Sequence, residues 1–388
     1  MYMAVDDFID FIVRTKCSEE DPDTGEIVRM EDAKNRIKGL WLPDETRKEP
    51  PNETVKPALS YQYVQALRNW TIPLKAKTFS DLKHLHIFDA DWIKVPIHTV
   101  DKNDPDCVFE IINEQFAKIW IPIYWIHAFT LFSVPLRGMQ IAYNDSGEAD
   151  AYIPEFDQDK LIWIQNKHKL AGLTNNQGMI KRYPNDEFGM FSTSNKTSFN
   201  IGGQSVPWMP IELAYWLIKL RKWQSKYNPI KAPKAWLNCE RTNLNELQRK
   251  QKGINCFLFR DFGQEECGSF SGRLASRLAA ALYFSQPKGI QLAKCKGLHN
   301  VISKYESDFT PHSMRVSLIT IYVMEYNLDL SIIMKIAGHS SIIMSIYYVK
   351  TQGVVLRKKV EEGEKIALKS QANATQSLIE QLRIDEIK

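Results

Sequence analysis

The chain is poor in cysteine and has no arrangement of it that would organise a fold. Six cysteines are scattered over 388 residues, at Cys17, Cys107, Cys239, Cys256, Cys267 and Cys295, and no C-x-x-C occurs. This excludes a disulfide scaffold and a thiolate zinc site as organising features, and a reducing cytosol fits the pattern. Long apolar runs are missing as well, with none near the roughly 18 residues that a membrane-spanning helix needs. The amino terminus, MYMAVDDFID, is acidic and lacks the basic-then-apolar order of a secretory signal. Neither sign of charge dominates: 50 Lys and Arg against 46 Asp and Glu leave a net charge of +4. That balance permits nucleic-acid binding without arguing for it, because clustering on one surface is what matters. No G-x-x-x-x-G-K-[ST] loop is present to cradle a nucleotide.

What is present is ordinary globular material, 44% hydrophobic and 25% charged, in a chain long enough for two or three domains. The fold class expected is mainly α with a small antiparallel β-sheet, an α+β arrangement. Helical spacing of apolar residues marks DDFIDFIVRTK (6–16), LSYQYVQALRNW (59–70) and FSDLKHLHIF (79–88). Lys34, Arg36, Lys38, Arg68, Lys75, Lys77 and Lys83 recur there among Tyr61, Tyr63 and Trp70, and read most simply as a solvated helical surface. The proline- and charge-rich PDETRKEPPNETVKP (43–57) is a loop. HTVDKNDPDC (98–107) contains little that could pack and marks a boundary. The domains expected are 1–105, a mixed region 108–355, and a polar tail helix 356–388. Within the middle region IWIPIYWIHAFTLFSV (119–134) reads as a buried helix. DAYIPEF and SVPWMP read as strands, and 211–227, 272–284 and 313–327 as helices.

Near the carboxyl end, Thr310 followed by Pro311 in TPHSMRVS makes a good helix start. His312 and Arg315 then share one face of the first turn, where helix-terminal amides and a guanidinium together suit an anion. The helix LSIIMKIAGH stops at Gly338, a favoured terminator. His339 follows at the junction, and Ser340 or Ser341 caps the next helix. That helix ends in the doublet Tyr347-Tyr348, eight and nine positions after His339.

PHSMR, AGHSS and the tyrosine that follows resemble the tyrosine recombinase (phage integrase) family. Over roughly 115–350 the resemblance implies a catalytic domain, with 1–105 as a helical domain that clamps core DNA and basic residues of 59–83 as candidates for phosphate contact. In that family the nucleophile lies nine positions after the G-H histidine, so the role falls to Tyr348 and not to Tyr347. The first arginine of the family corresponds to Arg137 in VPLRGMQ. Gln140 stands where glutamate is usual, and Glu148 fills the acidic position eleven after the arginine. The catalytic lysine belongs to a β-hairpin ahead of a V-P stretch. Lys196, before Val206-Pro207, is the match, and Lys181 its competitor. The spacing between Arg137 and Lys196 exceeds the family's usual length and implies an insertion around 155–190. CFLFRDFG (256–263) resembles the family's L-F element.

The chemistry so implied is attack of a tyrosine hydroxyl on a DNA phosphodiester. Arg137 and Arg315 would hold the phosphate oxygens with paired, permanently charged donors. Lys196 would protonate the 5′-hydroxyl leaving group. His312 and His339 would bond the scissile phosphate, and one of them would accept the tyrosine proton. Tyr348, with an ordinary pKa of about 10, needs positioning and positive surroundings. The resemblance implies no metal and no ATP, because the arginines replace the metal and the 3′-phosphotyrosyl bond conserves the energy for rejoining. It further implies a double-stranded recombination site as partner, a dimer on one site and a tetramer in the synapse, and a tail that passes to a neighbouring protomer. The setting implied is cytoplasmic and nucleoid-associated, of bacterial or phage origin. Two alternatives remain at this level. A type IB topoisomerase would relax supercoiled plasmid without a specific site, and a non-catalytic DNA-binding protein on the same fold would form no covalent adduct.

Overall fold

The computed structural model describes residues 2–20, 27–29, 34–35, 56–184, 187–193, 203–240, 246–268 and 270–338. The chain divides into two compact units, Met1–Asn52 and Glu53–Lys388. The first contains helix α1 (Tyr2–Lys16) and an antiparallel pair of short strands, β1 (Ser18–Glu20) and β2 (Ile27–Arg29). The loop expected at 43–57 lies almost wholly outside the described residues.

The second unit starts with α2 (Tyr61–Thr71), whose Val64 and Leu67 are buried. The stretch 79–88 is not the helix its spacing suggests. It forms the 3-10 turns Phe79–Asp81 and Lys83–Leu85, capped by Thr78 and Asp81. Phe79, Leu82, Leu85 and Phe88 recur every third residue and are fully buried, which is the period of a 3-10 turn and not of an α-helix. A three-stranded antiparallel sheet follows, in the order β3 (Trp92–Pro96), β5 (Phe116–Trp120), β4 (Phe109–Ile111). The turn-rich stretch 98–107 between β3 and β4 is pinned by polar contacts in place of apolar ones: Lys226 binds Asp101 (2.7 Å) and Asp104 (2.6 Å), and Lys219 binds Asp106 (2.6 Å).

Helix α3 (Ile123–Ser133) is apolar on all sides and almost wholly buried, so it forms the centre about which the other helices pack. It begins only at Ile123, because the chain is still in β5 at Trp120 and turns at Pro122. The short α4 (Gly138–Ala142) comes next, then the hairpin β6 (Tyr152–Asp157) and β7 (Lys160–Gln165). A second three-stranded antiparallel sheet has the order β8 (Ile180–Arg182), β9 (Phe188–Ser192), β10 (Gln204–Val206). After it come α5 (Ile211–Tyr227), α6 (Glu246–Lys250), α7 (Ser271–Ser285), α8 (Pro311–Met324) and α9 (Leu330–Ala337). The expected α+β class therefore holds, with helices dominant and small antiparallel sheets beside them.

One apolar core runs through this unit. Leu59, Leu67, Phe79 and Phe88 join Trp125 and Phe129 of α3, Leu278 of α7 and Met314 and Ile319 of α8 in it. Residues 56–105 thus share a core with the mixed region that follows them. Polar ties of long sequence range cross it. Asp91, buried among apolar neighbours, accepts from Trp125 Nε1 (2.7 Å) and pairs with Arg277. The amide of Leu59 donates to Ser317 Oγ (2.8 Å). Among the described residues no helix is long and apolar enough to cross a membrane.

Candidate active site

Pro135 ends the run of α3, and Arg137 caps α4 in extended conformation. Its amide donates to Gln140 Oε1 at 2.9 Å. Arg137 is half-buried, and its Nη1 is buried with no hydrogen-bond partner among the described residues. A buried guanidinium N–H without an acceptor is costly unless a ligand supplies one.

Helix α8 starts as its sequence predicts. The Thr310 hydroxyl accepts from the Ser313 amide (3.4 Å), the Ser313 hydroxyl accepts from the Thr310 amide (3.0 Å), and Pro311 sits at the first position. This sets His312, half-buried, and Arg315, 1% exposed, on the first turn. Arg315 acts as a bridge: Nη1 donates to the Pro135 carbonyl and Nη2 to the Ala337 carbonyl (2.7 Å). A guanidinium has five N–H donors in a rigid fork, which lets one side chain reach both carbonyls. The bridge ties the turn before Arg137 to the end of α9, directly ahead of Gly338-His339.

Gly338 itself is left-handed (φ 67°, ψ 43°), and a Cβ there would stand 2.0 Å from Gln204 Oε1. The backbone demands glycine, and a Cβ would also push aside the end of the Gln204 side chain. Gly338→Ala is therefore expected to lower stability by at least about 1 kcal/mol from the backbone alone, with a further loss as Gln204 is displaced. A urea midpoint equal to the parent's, at unchanged m-value, would show that the turn does not need glycine.

Gln204, at the start of β10, is a contact the sequence did not disclose. Its Oε1 accepts from Gln140 Nε2 (3.1 Å) and its Nε2 donates to the Lys335 carbonyl (3.0 Å). Gln140, fully buried, thus needs both an acceptor and a donor: it takes the Arg137 amide on one side and gives to Gln204 on the other. A carboxylate at Gln140 has no proton for the second bond, which accounts physically for the amide here.

The β9–β10 ribbon abuts the same place. Ser192 Oγ donates to the Gln140 carbonyl (3.2 Å), and Thr193 Oγ1 to the Tyr143 carbonyl (2.7 Å). Ser192 is paired with Gln204, so the connection 193–203 that carries Lys196 leaves and re-enters the sheet at residues tied to α4. Lys196, His339, Tyr347, Tyr348 and the tail 356–388 lie outside the described residues. Lys181 lies on β8, where its Nζ donates to Ser205 Oγ (3.1 Å).

Glu148 faces inward. Its carboxylate makes a forked pair with Arg260 (2.7 and 3.2 Å), 2% and 0% exposed, and accepts from Ser146 Oγ (2.8 Å). Asp145 accepts from the amides of Gly147 (2.7 Å) and Cys256 (2.8 Å) and from Gln177 Nε2 (3.0 Å). Burial pushes its pKa up to about 7, opposed by the Cys256 and Gly147 amides. These acids stabilise the loop behind Arg137. Among the described residues no group of His, Cys, Asp and Glu is arranged to hold a metal ion. Of the aromatic residues interleaved with basic ones near the amino end of this unit, Trp70 stacks on Phe284 (5.2 Å between rings) and Tyr61 meets Tyr326 edge-on (5.9 Å). Arg68 faces Glu212 at 3.8 Å.

No curated protein and no solved structure matches the chain. A family profile described as "Putative integrase" matches residues 1–237, a span that contains Arg137 and Lys196 and stops short of α8.

Proposed function

The chain belongs to the integrase family whose profile spans residues 1–237, and on that premise we propose that it is a tyrosine recombinase. It cleaves and rejoins DNA strands through a 3′-phosphotyrosyl intermediate, in the integration or excision of a mobile element. The observation that carries this reading is the Arg315 bridge, which ties the first turn of the H-x-x-R helix to the Pro135 carbonyl before Arg137 and to the Ala337 carbonyl at the end of α9. The buried Nη1 of Arg137, without a hydrogen-bond partner among the described residues, supports it, since a phosphate oxygen would serve as its acceptor.

In this mechanism Arg137 and Arg315 face the non-bridging oxygens of the scissile phosphate and stabilise the charge that grows on them as the fifth bond forms. The Tyr348 hydroxyl attacks phosphorus, giving its proton to a histidine, His312 or His339. The 5′-oxygen departs with a proton from Lys196. The reverse sequence, with the 5′-hydroxyl of a second strand as nucleophile, joins the new partners and frees Tyr348. Protomers act as a dimer on each site and as a tetramer in the synapse, with the 356–388 tail exchanged between them.

The test is Tyr348→Phe beside Tyr347→Phe on nicked duplexes drawn from the ends of the chain's own element. Tyr348→Phe is expected to abolish the covalent protein–DNA adduct on a denaturing gel, and Tyr347→Phe to retain it. Loss of the adduct in Tyr347→Phe alone would shift the nucleophile by one position. Absence of an adduct from the parent on every such duplex would end the catalytic reading.

A further inference from the structure

A cavity of about 230 Å³ is walled by Asn175, Gln177, Lys181, Phe191, Thr193 and Lys252. On the sheet face opposite buried Ile180, Met190 and Val206, Lys181 projects over the ring of Phe191, 4.6 Å from its centroid. Lys252 comes from the turn ahead of β-paired Ile254 (which pairs with Ala235). Its Nζ donates to the Thr193 carbonyl and stands 5.5 Å from the Trp236 ring. Both lysines are held below their ordinary pKa by loss of water, and no acidic neighbour opposes the shift. Among the described residues no carboxylate lines the cavity.

An anion entering beside two partly desolvated ammonium groups is attracted to both. The remaining walls are neutral amides, the Thr193 hydroxyl and the Phe191 ring, which contact an uncharged sugar as readily as water. The space exceeds what a lone phosphate requires and suits a stretch of backbone. Thr193, which closes one wall, directly precedes the connection that carries Lys196. We propose that this cavity seats a backbone phosphate of the bound DNA, apart from the phosphate that is cut, with Lys181 and Lys252 as its cationic partners. The proposal rests on the reading that DNA is the substrate, and deepens it by assigning a contact that positions the duplex without taking part in bond exchange.

The experiment is the double variant Lys181→Met, Lys252→Met, in which the apolar stems keep their packing. Its affinity for a random-sequence duplex is measured against sodium chloride concentration, beside adduct formation at saturating DNA. Removing one neutralised phosphate is expected to reduce the slope of log K against log salt by about 0.9, and the single variant Lys252→Met, which leaves Lys181 in place, is expected to form the adduct still. An unchanged slope overturns the seat. The two readings fail separately: a reduced slope with no adduct from parent or variant removes the recombinase and leaves the seat. A lost adduct with an unchanged slope does the opposite. If inorganic phosphate raises the parent's melting temperature, but not the variant's, while both show the same slope on DNA, the cavity takes a free anion and the DNA assignment falls. Should the double variant not fold, Lys181→Glu on the half-exposed strand position tests the same point, since a like charge set against a phosphate repels it. It should weaken duplex binding on the order of tenfold, and parent-like affinity would overturn the seat.

Discussion

Replacing Arg260 by methionine is expected to lower the unfolding free energy by about 3–5 kcal/mol, the cost of breaking a buried ion pair from one side. The loss would come less from the missing attraction than from what is left behind. Glu148, 2% exposed, would be left without its cationic partner, and the carbonyls of Asn228 and Phe257, which accept from Arg260 at 3.0 and 3.1 Å, would lose their donor. Removing both partners, as Glu148→Met with Arg260→Met, should recover much of that loss, because no uncompensated carboxylate remains. Urea denaturation of the parent, the single variant and the double variant measures it. A double variant no better than Arg260→Met would show that the carbonyls, and not the charge, dominate.

Arg315→Lys is expected to reduce adduct formation by about 10²–10³-fold, the scale for losing one preorganised donor at a developing oxyanion. Charge is conserved in this variant, so steering of DNA should change little. Geometry is not conserved. A single ammonium cannot reach the Pro135 and Ala337 carbonyls together and still face a phosphate. The variant should therefore lose stability as well as rate, and the rate must be read at a temperature where it is folded. Arg137→Lys makes the comparison informative. Arg137 Nη1 has no acceptor among the described residues, so its replacement should lower the rate with a smaller effect on the urea midpoint. Equal rates for parent and Arg315→Lys, both folded, would remove Arg315 from the chemistry.

The helices were legible in the sequence where two signals agreed. Thr310-Pro311 and Gly338 fixed ends that the apolar pattern alone leaves loose, and the structure uses each residue in the role its chemistry suggests. The 79–88 stretch misled because a three-residue period overlaps helical spacing over so short a run. The resemblance nominated Arg137, His312 and Arg315, and in the structure Arg315 bonds the Pro135 carbonyl in the turn before Arg137. Gln204 and Lys252 were not. A glutamine at the start of a short strand has no local pattern, and its partners lie 64 and 131 positions away in the chain. The same distance hid the fate of Glu148, whose partner Arg260 sits 112 positions on, in a segment that reads as apolar. Asp101, Asp104 and Asp106 looked like loop filler because the lysines that bind them belong to α5.

The Arg315 bridge also sets a schedule. Its two ends, Pro135 and Arg315, are 180 positions apart, and Leu59 waits for Ser317 across 258. At ordinary translation speeds, on the order of ten seconds or more separate the emergence of Pro135 from that of Arg315. Throughout that interval the apolar α3 has no α8 to cover it, which makes the nascent chain a client for holding factors. A chain interrupted before α8 has the Arg137 turn but not the residue that ties it in place.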